Sequence, residues 1–226
     1  MVSASESFKV LGVVWTLFDR TTRELQSRIA AAWAKFHHLR PLLCKQTGSQ
    51  QKRLRLFDKA VTASLLWACE SWTLTKREQR QLTSVQNTML RRIVVSRRHA
   101  SETWVEWVKR STRQARAVAR RAGIRCWVAA YLEAKWKWAG HIMRMGADRP
   151  ARCITEWRDS ECSLIEDALH GNSRDRRRRC RRQRWFRWED CFRKYTTLKN
   201  WTSWQTSAKN RDRWRRECKS FVKMCV

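Results

Sequence analysis

Apolar residues recur every three or four positions along most of this chain, which is the spacing of one face of an α-helix. Three series show it most clearly: Leu25, Ile29, Ala32 and Phe36; Leu54, Phe57, Val61 and Leu65; and Leu82, Val85, Met89 and Ile93. They predict helices from about Thr21 to Arg40, Gln50 to Cys69 and Thr75 to Val95. The pattern predicts two more, from about Ser101 to Gly123 and from Trp127 to about Gly140.

Local signals suggest where these helices begin and end. Thr21 with Glu24, and Thr75 with Glu78, have the spacing of a capping box, in which each side chain bonds to the other's backbone N–H. Pro41 and Gly123 predict helix ends, because proline disfavours the α conformation before it and glycine is a common C-cap.

The segment from Phe8 to Phe18 has a different character. It is rich in Val, Phe and Trp, with Gly12 inside it, and predicts a strand or hairpin. Six Gly and two Pro in 226 residues favour long helices over a turn-rich β fold. The expected fold class is therefore mainly α, with an N-terminal β-strand or hairpin, a helical bundle and a basic helical C-terminal region.

Composition shifts suggest where domains begin and end. Gly146 and Pro150 interrupt the helical pattern, and residues 160–173 are locally acidic and then polar. Helical periodicity resumes after Trp185. We therefore expect four segments: a hairpin in 1–19, a helical domain in 20–145, a linker with an arginine-rich stretch in 146–184, and a helical region in 185–226.

The net charge of the chain gives information about its binding partners rather than about its fold. Fifty Lys and Arg stand against twenty Asp and Glu, a formal net charge of +30. A charge of this size predicts a polyanionic partner, with nucleic acid first and anionic membrane surfaces or acidic proteins after it. Uncharged stretches reach ten residues at most, as in Ala60 to Cys69, which is too short to span a bilayer. Of these possible partners, nucleic acid is the one expected, and a membrane is not.

The nine cysteines are odd in number and scattered. The first residues show no secretory signal pattern, so we expect a nuclear or cytoplasmic protein that is not secreted and has reduced thiols. Cys153, Cys162, His170, Cys180 and Cys191 lack the tight ligand pair that is usual in structural zinc sites. The sequence therefore predicts no metal ligands and no cofactor in this chain.

An arginine run from Arg174 to Arg187 is the strongest candidate for binding. Nine of its fourteen residues are Arg, and tryptophans adjoin it. Cations beside flat rings suit a phosphate backbone with bases attached, whereas the alternative is a solvated basic tail. The residues predicted to bind nucleic acid here are Arg176, Arg177, Arg178, Arg179, Arg181, Arg182, Arg184, Trp185, Arg187 and Trp188.

Other tryptophans favour a role in the core. Trp138 shares a helical face with Ile142 and Met145, which predicts packing rather than a base-stacking platform. Trp104 and Trp107 are predicted to be core residues for the same reason.

Several segments also carry a family pattern. They are Phe8–Gly12 (FKVLG), Leu25–Leu43, Leu54–Thr75 (containing LLWACESWTLT), Met89–Ile93 (MLRRI), Trp136–Met145 (WKWAGHIMRM), Arg184–Asp190, Trp204 and Asp212–Val222. In this order they resemble the C-terminal portion of a non-LTR (LINE-type) retrotransposon reverse transcriptase. Trp67-Ala68 stands where that family usually has Tyr-Gly, and Val10 stands where it has Tyr.

The resemblance implies specific roles. Phe8, Lys9, Leu11 and Gly12 would belong to a primer-grip hairpin, and the helices of 20–145 to a thumb. Arg91, Arg92, Arg97 and Arg98 would contact phosphates at the edge of a template–primer groove. The family's Mg²⁺-binding aspartates lie in a palm domain before the primer grip, so Mg²⁺ is implied only for the full-length parent. The twenty acidic residues of this chain are dispersed, and no catalytic residue is predicted.

The sequence thus predicts a fragment that holds template–primer or target DNA by backbone contacts and does not polymerise by itself. An upstream polymerase palm would be its partner in a longer parent. Two alternatives stay open: an autonomous basic RNA- or DNA-binding protein, and a non-functional frame of a decayed retroelement.

Overall fold

A computed structural model describes residues 8–15, 20–45, 47–160 and 187–226. The chain is mainly α-helical with an N-terminal hairpin, which confirms the expected fold class. The helices are α1 Arg20–His38, α2 Arg40–Leu43, α3 Gln50–Phe57, α4 Ala63–Leu65, α5 Lys76–Val94, α6 Trp104–Arg121, α7 Trp127–Arg144, α8 Pro150–Ser160, α9 Asp190–Leu198, α10 Trp204–Lys209 and α11 Arg211–Cys225. A π-helical stretch, Asp58–Thr62, joins α3 to α4, and Cys69–Ser71 is a 3₁₀ turn.

The N-terminal hairpin pairs β1 (Phe8–Val10) with β2 (Val13–Trp15) in antiparallel register, with Val10 opposite Val13. Its two turn residues, Leu11 and Gly12, have φ of 50° and 82°. Two positive φ values are what a tight two-residue hairpin needs to match the strand twist. The predicted hairpin is confirmed, and its turn is tied down because Arg28 Nη2 donates to the Gly12 carbonyl at 2.5 Å.

The predicted capping box at Thr21 is wrong. Helix α1 begins at Arg20, so Thr21 lies inside the helix instead of capping it. Glu24 is buried, and its carboxylate accepts from the Val14 backbone N–H and from Arg28 Nε, both at 2.6 Å. A buried strand amide needs an acceptor, and Glu24 supplies it, which joins the hairpin to α1.

The boundaries of α5 and α6 follow local chemistry. The predicted capping box of Thr75 and Glu78 is confirmed at the start of α5, and Thr103 with Glu106 forms a second at α6. Helix α6 ends in the paired hydrogen bonds of a Schellman motif, from Gly123 N to the Arg120 carbonyl and from Ile124 N to the Ala119 carbonyl. Gly123 has a φ of 79°, as the predicted C-cap requires.

The chain divides into two compact units. Unit 1 comprises residues 1–132 with Val226, and unit 2 comprises 133–225, so the division falls within α7. In unit 1 most residues of the predicted apolar faces are buried, including Phe36, Leu54 and Ile93, whereas Ile29 and Val85 are half-buried. The four-segment organisation stays a prediction, and residues 161–184 of its linker lie outside the described residues.

The core of unit 2 is aromatic. Trp136 and Trp214 stack with ring centroids 3.6 Å apart and planes inclined by 5°. Each indole N–H donates to the other residue's main-chain carbonyl at 2.8 Å. Phe192 and Phe221 pack against Trp136, and all four side chains are buried.

Helix α7 does not end near Gly140 but continues to Arg144. A Cβ on Gly140 would lie 2.5 Å from Cδ1 of Trp214, well inside van der Waals contact. Gly140 is therefore needed for packing, because the Trp214 indole occupies the space that a side chain at this position would fill. A glycine near the end of a periodic stretch has the sequence pattern of a helix stop, which is why the prediction failed.

Candidate nucleic-acid interface

Helices α5 and α6 run antiparallel in unit 1 and form, with residues 95–103 between them, what we call the α5–α6 hairpin. Two polar contacts set their pairing: Arg91 Nη1 donates to Thr112 Oγ1 at 2.8 Å, and Arg116 Nε donates to Asn87 Oδ1 at 2.9 Å. Ser111, Ala115 and Ala119 form the buried side of α6. Because these side chains are small, the two helices pack closely.

This hairpin is strongly basic. Residues 76–125 contain fourteen Lys and Arg against three Glu, a net charge of +11. Glu78 and Glu106 close the capping boxes, and Glu102 pairs with Arg110 through two bonds of 2.8 Å. The three carboxylates are thus committed to local structure, and the hairpin keeps a large positive excess.

Four cations of α6 lie on one face, which we call the α6 stripe: Lys109, Arg113, Arg116 and Arg120. All four are exposed. Spacings of four, three and four residues place them within a narrow arc, over about 16 Å of helix. The stripe was not among the residues predicted from the sequence, although its spacing of four, three and four residues was visible there.

The structure separates the four thumb arginines that the resemblance singled out. Arg91 is half-buried and donates to Thr112 and Thr88, and burial, then the charge of Arg92, lowers its pKa. Arg92 is exposed, with its guanidinium 5.0 Å from the Trp33 ring centroid. Arg97 and Arg98 are exposed in the 95–103 connection. A phosphate contact by Arg91 would compete with its bonds to Thr112 of α6 and Thr88 of α5, whereas the other three face solvent.

Most of the arginine run lies outside the described residues, so its binding role stays a prediction. This holds for Arg176, Arg177, Arg178, Arg179, Arg181, Arg182, Arg184 and Trp185. The Arg187 backbone N–H donates to Asp190 Oδ2 at 2.7 Å, which anchors the chain at the start of α9. Trp188 is half-buried, with its ring edge-on to Phe192 at 5.0 Å. Its indole is engaged in the unit 2 core, and base stacking on it would have to use the remaining exposed part.

The primer-grip-like residues are only partly placed. Phe8 and Lys9 belong to β1, and their side chains lie outside the described residues. Leu11 is 88 % exposed at the tip of the turn, and its carbonyl accepts from Trp67 Nε1 at 3.3 Å. The hairpin thus presents an apolar side chain from a turn that is fixed on both sides.

An open groove of about 570 Å³ follows the exposed side of α5. Six of its eight lining residues have hydroxyl, amide or cationic side chains, Lys76, Gln79, Arg80, Thr83, Ser84 and Asn87, and the other two are Val128 and Val226. Because Asn87 accepts from Arg116, this groove adjoins the α6 stripe. Together they form a continuous donor-rich surface on unit 1.

The two tryptophans at the start of α6 differ from expectation. Trp104 is 63 % exposed, so the prediction of a core position is wrong for it. Trp107 is half-buried, and its indole N–H donates to the Ser96 carbonyl at 2.8 Å. Trp138, for which packing was predicted, is half-buried, and its neighbour Trp136 is fully buried.

Within the described residues, no group of three or more His, Cys, Asp or Glu side chains is arranged to hold a metal ion. Of the zinc ligands considered from the sequence, Cys162, His170 and Cys180 lie outside that part of the chain. In the same part, no helix is long and apolar enough to cross a membrane.

Protein-family models, curated proteins and solved structures give no significant match to this chain. What its surface can bind must therefore be inferred from its own charges, exposure and geometry.

Proposed function

We propose that this chain is a nucleic-acid-binding portion of a LINE-type reverse transcriptase, which holds template–primer or target DNA by its phosphate backbone. The α6 stripe is the observation that carries the binding part of the proposal. Its four cations are exposed on one face of a helix that is fixed against α5. Arginine forks make paired hydrogen bonds to phosphate oxygens, so such a face suits a backbone and reads no sequence.

The stripe and the phosphate backbone also match in scale. Successive stripe residues rise by about 4.5 to 6 Å along the helix axis, while phosphates of one DNA strand rise by about 3.4 Å. Flexible Arg and Lys side chains accommodate this difference. The stripe can therefore engage several phosphates along a groove edge at once, which is where salt-dependent affinity comes from.

Two backbone conformations support the reverse-transcriptase part of the proposal. Gly12 matches the glycine of the family's F-K-Y-L-G segment and has a φ of 82°. Ala68 stands where the family has glycine and has a φ of 56°, in the left-handed region that glycine occupies at little cost. Both positions therefore have a physical reason to be glycine in that pattern.

The packing of unit 2 supports it as well. Trp136 and Gly140 come from one segment of the resemblance, and Trp214 and Phe221 from another far along the chain. These residues meet in a single aromatic core, with Phe221 4.4 Å from Trp136 between ring centroids. Contacts between residues of different motif segments are expected if this chain has the fold of that family.

A salt titration tests the binding part. The full chain would be titrated with a short RNA–DNA hybrid and with duplex DNA by fluorescence anisotropy at several salt concentrations. Replacing Lys109, Arg113, Arg116 and Arg120 together with Gln should lower affinity and flatten the log–log salt slope by about 3 to 4 on duplex DNA, since each phosphate contact contributes about 0.9.

The matched control removes the same charge from scattered exposed positions. Replacing Arg23, Lys45, Lys59 and Arg77 with Gln lowers the net charge equally without touching α6. We expect a clearly smaller change in slope from this variant. Equal effects from both would mean that total charge, and not the stripe, determines binding. A third variant, with the arginine run replaced by Ser and Gly, tests that segment separately.

Primer extension tests the absence of polymerase activity. The family's metal-binding aspartates would lie upstream of this chain, so we expect no nucleotide incorporation by the isolated protein with Mg²⁺. Incorporation would refute this part. An in-frame Asp-Asp polymerase motif upstream of Met1 in the gene would support the proposal over an autonomous nucleic-acid-binding protein.

A further inference from the structure

Trp104 presents an exposed indole on unit 1. It occupies the first position of α6 and is 63 % exposed, and the next residue, Val105, is 57 % exposed. Its ring lies 4.7 Å from that of Trp107, at 43°. One side of Trp104 is therefore backed by a second indole, while most of its surface meets solvent.

The loop beneath this indole is built rigidly. Arg110 donates to both carboxylate oxygens of Glu102 at 2.8 Å, to Ser96 Oγ at 3.0 Å and to the Arg97 carbonyl at 2.8 Å. Trp107 adds the bond from its indole N–H to the Ser96 carbonyl. A loop held by so many bonds costs little to order when a ligand arrives.

Cations accompany the indole. Arg97 and Arg98 are exposed on the 95–103 connection, and Lys109, the first residue of the α6 stripe, is exposed five residues after Trp104 on α6. Glu102 is occupied by Arg110, and Glu106 accepts from Thr103 N and Oγ1 at 2.9 and 2.8 Å. Residues 96–110 thus carry four Lys and Arg against two Glu, and this positive excess around Trp104 favours an anionic ligand over another apolar surface.

We propose that this end of the α5–α6 hairpin is a single-strand site, in which an unpaired nucleobase stacks on Trp104 while Arg97 and Arg98 contact the adjoining phosphates. The site rests on the proposed function, because it would receive a strand that continues from the duplex held by the α6 stripe. Bases inside a duplex have both faces covered by their neighbours. Only an unpaired or terminal base offers a face to an indole, and every base has one, so the site would be tolerant of sequence.

The test compares single strands with a blunt duplex on the full chain. Anisotropy titrations would use oligo(dT) and oligo(rU) of about eight nucleotides, within the usual site size of such surfaces, and a long blunt duplex DNA, in which interior sites far outnumber the two exposed terminal pairs. Trp104→Ala should weaken binding to the oligonucleotides by roughly tenfold, the loss of one stacked base, and leave duplex binding almost unchanged. Trp104→Phe, which keeps an aromatic face, should retain most of the affinity.

Two further variants complete the design. Val105→Ala removes an exposed apolar side chain beside Trp104 and should leave oligonucleotide binding unchanged. The double variant Arg97→Gln, Arg98→Gln should bind the oligonucleotides more weakly, and its binding should depend less on salt. An equal loss on oligo(dT) and oligo(rU) identifies a site for any single strand, whereas a loss on one alone identifies DNA or RNA as its ligand.

Failure of this inference is distinguishable from failure of the proposed function. If Trp104→Ala binds both oligonucleotides like the wild type, or weakens duplex binding by the same factor, the single-strand site is refuted. In that case, the proposed function is still supported if duplex binding depends on the α6 stripe. If the wild type binds neither duplex nor single strand at low salt, both fail. Far-UV circular dichroism checks that each variant is folded.

Discussion

Replacing Gly140 with Ala is the sharpest test of the unit 2 core. The new Cβ would lie 2.5 Å from Trp214 Cδ1 and 2.6 Å from Trp214 Nε1, where about 3.5 to 4.0 Å is comfortable. The indole would have to move by about 1 Å. It has little freedom to do so, because it stacks on Trp136 and its N–H is bonded to the Trp136 carbonyl.

The magnitude follows from opposing contributions. Alanine in the middle of a helix is favoured over glycine by about 1 kcal/mol. Displacing Trp214 would forfeit about 1 kcal/mol of stacking, and breaking a buried hydrogen bond would cost a further 1 to 3 kcal/mol or so. The steric effect exceeds the propensity gain, and we expect a net loss of about 2 kcal/mol in the free energy of unfolding, or roughly 4 to 8 °C in Tm for a chain of this size.

The assay is urea unfolding followed by tryptophan fluorescence and by circular dichroism, with hydrogen exchange reporting on α7 and α11 separately because the chain has two units. Trp214→Leu removes the ring that the methyl group would strike. In that background Gly140→Ala should be neutral or stabilising by up to about 1 kcal/mol. If Gly140→Ala stabilises the wild-type chain, the indole does not cover Gly140 and the packing described for unit 2 is wrong.

Two other predictions concern unit 1. Ala68→Gly should stabilise the protein by up to about 1 kcal/mol, because relief of a left-handed alanine exceeds the added freedom of glycine in the unfolded chain; the control Ala63→Gly, at an exposed helical position with φ of −64°, should destabilise it by about 1 kcal/mol. Thermal unfolding of both variants gives the signs, and equal signs would contradict the left-handed assignment. The hydrogen bond from Arg110 holds the pKa of Glu102 at about 2, below its ordinary 4.5. The contribution of this pair to stability is therefore fully present above pH 4.5 and is lost as pH falls from there through 2. Carboxyl ¹³C NMR should show the low titration midpoint, and in Arg110→Gln the midpoint should rise; an unchanged midpoint would refute the pairing.

Local sequence patterns predicted much of the fold. The capping box of Thr75 with Glu78 was predictable, because both partners lie within four residues and their bonds need nothing else. The buried faces of α1, α3 and α5 followed from helical spacing, since one turn of helix fixes which side chains share a side. The high density of cations also pointed to an anionic partner before any coordinates. In each case the determining interaction is short in sequence or depends on composition alone.

The sequence by itself thus determined the long helices of unit 1, most of their apolar faces, the glycine-containing turn of the hairpin and the sign of the expected partner's charge. Only the tertiary structure decided that Glu24 serves the Val14 amide instead of capping a helix, that Gly140 makes room for Trp214, and that Trp104 faces solvent. These outcomes depend on which distant segment arrives beside each residue. The local sequence around a glycine, a glutamate or a tryptophan is the same whether or not a distant segment packs against it. Its role is therefore decided only by the tertiary structure.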